Sequence, residues 1–326
     1  MTINIFGAGT WGIVIATYLS RNGHDVLVYH RNSQKTKNLI KSYKHPNLLK
    51  YKIPKTIQFT NNINELDSNN LNILAVPTHA LSECLSKIED KNSKFLILSK
   101  GFDLDSGLLP SELLTYKFNI SINNIAVLSG PNHAEEIVQH KPTATIISSI
   151  DSVFSKELQL LFTSEILRVY TTSDIIGVQI GAAVKNIIAI ASGLCVGFKL
   201  GDNALASLVS RGMNEIIELS KVYKIKIITL YGLSGLGDLV GTCYSIHSRN
   251  RKLGILLSEG KTLIEAKKII EMVSEGVNTS KILNTIICEH HLEMPICSEV
   301  FNILFNNVEP SKSINNLMQR KLKNEN

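Results

Sequence analysis

The chain has few cysteines and none in a paired spacing. Cys84, Cys195, Cys243, Cys288 and Cys297 make an odd set with no C-x-x-C motif. That excludes a disulfide framework or a zinc ribbon as the organising element and leaves no metal site to expect. Reduced thiols in the cytoplasm are the expectation. The N-terminus lacks a basic stretch ahead of an apolar core, so no signal peptide is expected. No apolar run reaches the roughly 20 residues of a membrane span. The longest, 187–198, holds Ser192 and two glycines and reads as a buried helix. No run of five or six basic residues is present either. The 34 Lys and Arg against 28 Asp and Glu, net +6, are scattered. A solvated basic surface that favours anionic ligands is expected, and no nucleic-acid partner. At 44% hydrophobic and 19% charged residues the chain is ordinary globular protein. Its 326 residues exceed what one core organises, so two domains are expected.

What is there begins with alternation. Strand-like segments at 2–6, 25–29, 71–76, 95–99, 125–129, 143–149 and 167–170 are separated by helix-like ones at 12–22, 33–43, 79–88, 134–138 and 152–162. Short apolar strands between helices predict an α/β, Rossmann-type, doubly wound parallel sheet covered on both faces. The Lys-, Asn- and Pro-rich stretch 42–64 reads as loop. After about 172 strands cease and long helical segments take over, which predicts an all-α second domain. The expected domains are therefore 1–172 and 173–326. The polar tail after Pro310 is expected to fray.

Gly7-Ala8-Gly9-Thr10-Trp11-Gly12 follows the first strand and opens the first helix. This is the context a dinucleotide-binding turn requires. Gly7 permits the turn, Gly9 lets backbone approach a pyrophosphate, and Gly12 allows close helix–strand packing. The helix N-terminus offers its unpaired amides to phosphate. The second strand ends in Tyr29-His30-Arg31, where an NAD-selective site usually carries Asp or Glu. Arg31 either pairs with a 2′-phosphate or stands in solvent. The first reading predicts NADPH or NADH as cofactor, with NADP preferred.

The second half carries the chemistry. Lys185-Asn186 sits in an apolar helix, either as a lysine whose stem reaches the surface or as one whose pKa is lowered so that it exchanges a proton near neutrality. Asp238, in a glycine-rich and apparently flexible turn 235–239, either pairs with Lys185 or caps a helix. Ser248-Arg249-Asn250 is an anion site or a solvated basic helix end. In the first half, Lys100 and the segment Ser129-Gly130-Pro131-Asn132-His133-Ala134 follow strands, at the edge where such sheets bind ligands. His133 is as well suited to a structural hydrogen bond as to acid catalysis.

Together, GAGTWG at 7–12, SKG at 99–101, SGPNHAEE at 129–136, GAAVKN at 181–186, GLGDL at 235–239, HSRNR at 247–251 and SEGVNT at 274–279 resemble bacterial NAD(P)-dependent glycerol-3-phosphate dehydrogenase. The motifs keep their order over nearly the whole chain. The resemblance implies reversible reduction of dihydroxyacetone phosphate to sn-glycerol 3-phosphate, the phospholipid backbone, by a cytoplasmic enzyme. It implies Lys185 as proton acceptor and Asp238, Ser248, Arg249 and Asn250 as substrate contacts, with Lys100, Gly130 and Asn132 from the first half. It implies Thr10, Trp11, Arg31, Lys100, Ala134, Arg249, Val273 and Glu275 as cofactor contacts. Thr10 replaces a common serine and keeps its hydroxyl. Asn132 replaces a common serine or threonine. A related β-hydroxyacid dehydrogenase is the nearest alternative, and HSRNR with GLGDL argues against it. A non-catalytic NAD(P)-binding sensor would be expected to lose Lys185 or Asp238. A homodimer is expected only from the prevalence of two-fold assemblies.

Overall fold

A computed structural model describes residues 2–322 and 324, apart from 49, 89, 91 and 271–274. Eight strands form one sheet: β1 (Thr2–Phe6), β2 (Asp25–Tyr29), β3 (Gln58–Thr60), β4 (Leu71–Leu74), β5 (Phe95–Ile97), β6 (Ile125–Ser129), β7 (Thr143–Ser149) and β8 (Leu167–Thr172). Their order is β3-β2-β1-β4-β5-β6-β7-β8. Between them lie α1 (Thr10–Arg21), α2 (Ser33–Ser42), α3 (Leu81–Leu85), α4 (Pro110–Glu112), α5 (Ala134–Ile137) and α6 (Ser152–Phe162). One face buries Ile3, Ile5, Ile13, Leu19, Phe154 and Phe162. The other buries Phe6, Leu74, Phe95, Leu113 and Ile125. Apolar residues on both faces are why these strands read as nearly continuous hydrophobic runs.

Two expectations about this sheet need correction. It is not wholly parallel, because β7 runs antiparallel to β6. The connection between them spends its length on the turn at Gly130 and the single-turn α5, leaving no crossover helix to carry the chain back. The stretch 42–64 is not all loop, since β3 adds an edge strand to β2. Its hydrophobic signal is too short to stand out from the polar residues around it.

Strand order reverses between β1 and β4, and crevices that take ligands open at the carboxyl ends of such strands. A buried polar pair fixes the register there. Asn4 and Asn72 are direct neighbours on β1 and β4, and Asn4 Nδ2 donates to Asn72 Oδ1 at 3.0 Å. A slip of one residue would break that bond and turn the side chains of the slipped strand to the opposite face. The register therefore sets Gly7 beside Ala75.

Contacts divide the chain between Gln179 and Ile180, early in the helix α7 (Ile175–Gly197). Ile175 and Val178 still pack with Phe95, and the Ser111 amide donates to Gln179 Oε1 at 3.0 Å. Among the described residues no strand follows Thr172. Beyond α7 come α8 (Asp202–Glu218), α9 (Ile227–Leu230), α10 (Asp238–Tyr244), α11 (Arg249–Ser258), α12 (Leu263–Ile270), α13 (Glu275–His290), α14 (Pro295–Phe305) and α15 (Pro310–Met318). The last corrects the expected frayed tail. Pro310 at the first helical position has its φ preset for a helix start, and Ser313 is buried.

With 23 residues, α7 is long and apolar enough to cross a membrane, but 83% of its most apolar window is buried inside the protein. It is the core helix of its unit. Helix α11 lies hard against it. A Cβ on Gly254 would stand 2.0 Å from the carbonyl oxygen of Ile190, and one on Gly193 2.0 Å from that of Arg251. No side chain larger than hydrogen fits at that crossing. Helices α8 and α14 of the same unit are tied by Glu215 of α8. Its two carboxylate oxygens accept from the amides of Ile296 (2.6 Å) and Cys297 (3.0 Å) at the start of α14.

Candidate active site

Each unit carries its own cluster of candidate residues. In the first, the turn after β1 stands at the reversal of strand order. Gly7 has φ +113°, and a Cβ there would lie 2.7 Å from the carbonyl oxygen of Ala75, just past β4. A Cβ on Gly12 would lie 2.0 Å from the carbonyl oxygen of Gly7. Both positions therefore require glycine. Gly9 differs, because a Cβ there would meet nothing within 4 Å. Packing does not require Gly9 to be small, whereas a ligand approaching the backbone does. Gly9 is also the N-cap of the 12-residue α1 and brings no capping side chain. The first amides of α1 and its positive dipole end are thus available to an anion. These features fit the pyrophosphate of a dinucleotide.

The rest of the turn is propped from the side. Trp11 is half-buried against the core. Thr10 Oγ1 accepts from Asn47 Nδ2 at 3.0 Å, and buried His45 reaches the backbone of Ala8. Burial pushes the His45 pKa down while the Ala8 contact pulls it up. This ring is therefore a neutral support more than an anion-binding charge. Asn47 and His45 come from the stretch read as plain loop.

Arg31 stands two residues past β2 with its side chain 62% exposed, and it forms an ion pair with Glu83 of α3. Lys100 and Asn132 meet past the carboxyl ends of β5 and β6, with Nζ 3.5 Å from Oδ1. Asn132 Nδ2 reaches Thr145 Oγ1 at 3.4 Å, and Thr145 in turn donates to the carbonyl of Ser129 at 2.6 Å. Gly130, at φ +133°, turns the chain so tightly that a Cβ would stand 3.2 Å from the Thr145 backbone. Ala134 opens α5 with His133 as its N-cap, and the His133 side chain makes no capping bond.

In the second unit the geometry is tighter. Lys185 and Asp238 form an ion pair whose side chains are 6% and 3% exposed. Lys185 Nζ also donates to Thr242 Oγ1 at 2.9 Å, and Thr242 lies 3.4 Å from Asp238 Oδ1. The lysine does not reach for the surface, and Asp238 spends its carboxylate on the lysine. The glycine-rich segment is not a flexible turn. Residues Leu233–Gly237 form a π-helical turn that runs into α10. A Cβ on Gly235 would lie 1.9 Å from the carbonyl of Leu230, and one on Gly181 2.8 Å from that of Ser234. Those glycines serve close packing, which seats Asp238 one turn before Thr242 on the same helix face.

The neighbouring cluster hangs on Asn186. Asn250 Nδ2 donates to Asn186 Oδ1 at 2.9 Å, and the Gly276 amide donates to Asn250 Oδ1 at 3.2 Å. Asn186 Nδ2 stands 3.4 Å from Glu275 Oε2, at the start of α13. Ser248 is the N-cap of α11, its hydroxyl accepting from the Arg251 amide at 3.2 Å, and Arg249 beside it is exposed. Val273 lies outside the described residues. Thr242 was not among the candidates read from sequence, and Asn186 was named there only as the neighbour of Lys185. Thr242 follows Asp238 by four residues, a signal visible only once the segment is recognised as helix.

Burial pushes the Cys243 thiol up to about 12, against the pull of Lys185. It stays neutral, so the charge facing Lys185 is the Asp238 carboxylate. The second unit thus buries the Lys185 amine beside a carboxylate and a hydroxyl. Such a group can hand a proton to an oxygen on which negative charge develops.

Comparison with known proteins agrees with the motifs along the whole chain. The family model described as NAD-dependent glycerol-3-phosphate dehydrogenase N-terminus matches residues 2–155, and its C-terminus counterpart matches 174–315. A glycerol-3-phosphate dehydrogenase (NAD(P)+) of Thermoanaerobacter sp. is 38% identical, over 100% of this chain and 99% of that protein. One from Staphylococcus epidermidis is 40% identical over 99% of each. The crystal structure of glycerol-3-phosphate dehydrogenase from Coxiella burnetii superposes with a TM-score of 0.90 at 33% identity, covering 98% of this chain and 99% of that one. With both halves matched and relatives aligned end to end, the chain belongs to the NAD-dependent glycerol-3-phosphate dehydrogenase family.

Proposed function

We propose that this protein catalyses the reversible NAD(P)H-dependent reduction of dihydroxyacetone phosphate to sn-glycerol 3-phosphate. The observation that carries the reading is the buried Lys185–Asp238–Thr242 cluster. The bound dinucleotide supplies a hydride to the ketone carbon, and everything else falls to side chains of this chain. Lys185 donates its Nζ proton to the carbonyl oxygen as the carbon–oxygen double bond becomes a single bond. In the reverse direction it takes that proton back. Asp238 keeps the amine charged beforehand, and Thr242 Oγ1 holds Nζ in direction. Arg249 and Asn250, at the amino end of α11, suit a phosphate monoester, and Ser248 keeps that helix start in shape. Lys100, Gly130 and Asn132 are proposed to contact the substrate from the first unit.

On the cofactor side, Gly7, Gly9, Thr10, Trp11 and Gly12 are proposed to hold the pyrophosphate, with Ala134, Arg249, Val273 and Glu275 as further contacts. Arg31 is proposed to face the 2′-phosphate, which supports a preference for NADPH. The five free thiols support work in the reducing cytoplasm.

The test is absorbance of reduced cofactor at fixed dihydroxyacetone phosphate, with NADPH and NADH side by side. Lys185→Ala is expected to bind cofactor normally and to lose at least a hundredfold in kcat, in line with general acid catalysis worth about 10²–10⁴. Near-normal turnover in that variant would remove Lys185 from the chemistry.

A further inference from the structure

Arg31 is not alone at the end of β2. Its guanidinium meets one carboxylate oxygen of Glu83, and Lys87 Nζ lies 3.2 Å from the other. Glu83 and Lys87 sit one helical turn apart, from α3 onward, 52 and 56 positions along the chain from Arg31. The Lys87 and Arg31 contacts hold the Glu83 carboxyl below its usual range, so it is ionised at neutral pH. Exposed ion pairs of this kind contribute little to stability, which leaves the arrangement unexplained by folding.

It matters for a phosphate. The second strand carries no acidic residue at its end, yet the fold delivers one to the same arginine from another helix. A 2′-phosphate that comes to Arg31 must share or displace the Glu83 carboxylate, and the two anions repel each other. NADH, whose ribose carries only a hydroxyl, does not meet that competition. We propose that Glu83 is a specificity-determining residue, which restrains the NADPH preference conferred by Arg31 by occupying its guanidinium. The inference rests on the reading that Arg31 faces the 2′-phosphate.

Glu83→Gln removes the charge and keeps the shape. The expected result is a rise of about twofold to fivefold in the NADPH-to-NADH ratio of kcat/KM, carried by the KM for NADPH, since exposed charge contacts are of that size. The rise should shrink in about 0.5 M salt, where the screening length falls to a few ångströms. Trp11 is the only tryptophan and lies in the cofactor turn, so quenching of its fluorescence reads Kd for each dinucleotide without turnover. The Kd ratio should move with the KM ratio. Arg31→Ala, measured alongside, should lower the NADPH-to-NADH ratio, and Arg31→Ala/Glu83→Gln should match Arg31→Ala. An unchanged ratio in Arg31→Ala overturns the reading of Arg31 itself. A lowered ratio there with an unchanged or lowered ratio in Glu83→Gln overturns the role of Glu83 alone.

Discussion

Replacing Asp238 by asparagine keeps the volume and one acceptor oxygen but removes the charge facing Lys185. The two side chains are 6% and 3% exposed, so water cannot take over. Leaving one member of a buried pair without its partner costs about 3–5 kcal/mol. Lysine can escape that cost by losing its proton. With about 1.4 kcal/mol per pH unit, the ammonium would then deprotonate roughly two to four units lower than with the carboxylate present. The retained bond to Thr242 Oγ1 at 2.9 Å favours the lower figure. In the direction of ketone reduction Lys185 must start protonated, so the alkaline fall of kcat/KM should move to lower pH by about two units. The acid side should be nearly unaffected. The assay is kcat/KM for dihydroxyacetone phosphate at saturating NADPH across about pH 6–11, a range that reaches past the ordinary lysine value near 10.4 and about two units below it. Trp11 quenching confirms that cofactor still binds. An alkaline limb in the same place as in the unaltered protein would show that Asp238 does not hold the lysine charge, and the proposed role would fall.

Two further perturbations probe the frame around the site. Gly254→Ala puts a Cβ 2.0 Å from the Ile190 carbonyl oxygen, so α7 and α11 must separate. Overpacking of this kind costs about 1–3 kcal/mol, and the KM for dihydroxyacetone phosphate should rise because Asn250 rides on α11; an unchanged melting temperature and KM would refute the close crossing. Burial pushes Glu215 up to about 7 in the folded chain, against the pull of the Cys297 and Ile296 amides, from an ordinary value near 4.5. A raised folded value means the folded state holds a proton the unfolded chain has released. That contribution is complete below about pH 4.5 and is lost as pH rises through about 7, amounting to about 3 kcal/mol. Glu215→Gln should flatten the fall of urea-unfolding free energy between pH 5 and 8, the interval of about three units that contains the change. An equally steep fall in the variant would place the proton elsewhere.

Much of the fold was legible because it follows from local rules. Continuous apolar strands, glycine at the β1–α1 turn and Gly23 at φ +86° after α1 mark their elements without tertiary help. What escaped depended on partners distant in sequence. The antiparallel β7 is decided by what the 130–142 connection can span. Strand β3 is decided by the edge of β2. Pairing with Lys185 was one of two open readings for Asp238, and only the π-helical turn and α10 select it. Thr242 could have been found at Asp238 plus four had the glycines been read as packing contacts rather than as flexibility. Arg31 could be located from sequence, but Glu83 could not, since nothing near β2 points to a residue 52 positions away.

The Lys185–Asp238 pair also bears on why the site is built on α7 at all. Residues 182–191 of α7 are at most 7% exposed, and a hydrophobic pair of similar volume in place of lysine and aspartate would serve stability as well or better. The charges therefore demand an explanation outside folding. The glycine contacts supply a complementary one. Gly181 against Ser234, Gly193 against Arg251 and Gly254 against Ile190 bring the π-helical turn that leads into α10, and α11, to van der Waals contact with the α7 backbone. Lys185 on α7, Asp238 on α10 and the proposed anion-binding start of α11 are thereby held on closely packed backbones. On the proposed reading, a site held that way needs little reorganisation as negative charge builds on the substrate's carbonyl oxygen during hydride addition, which lowers the barrier. The buried charge and the glycine crossings are thus two halves of one arrangement: burial makes the lysine's field strong, and the close-packed backbones keep it aimed.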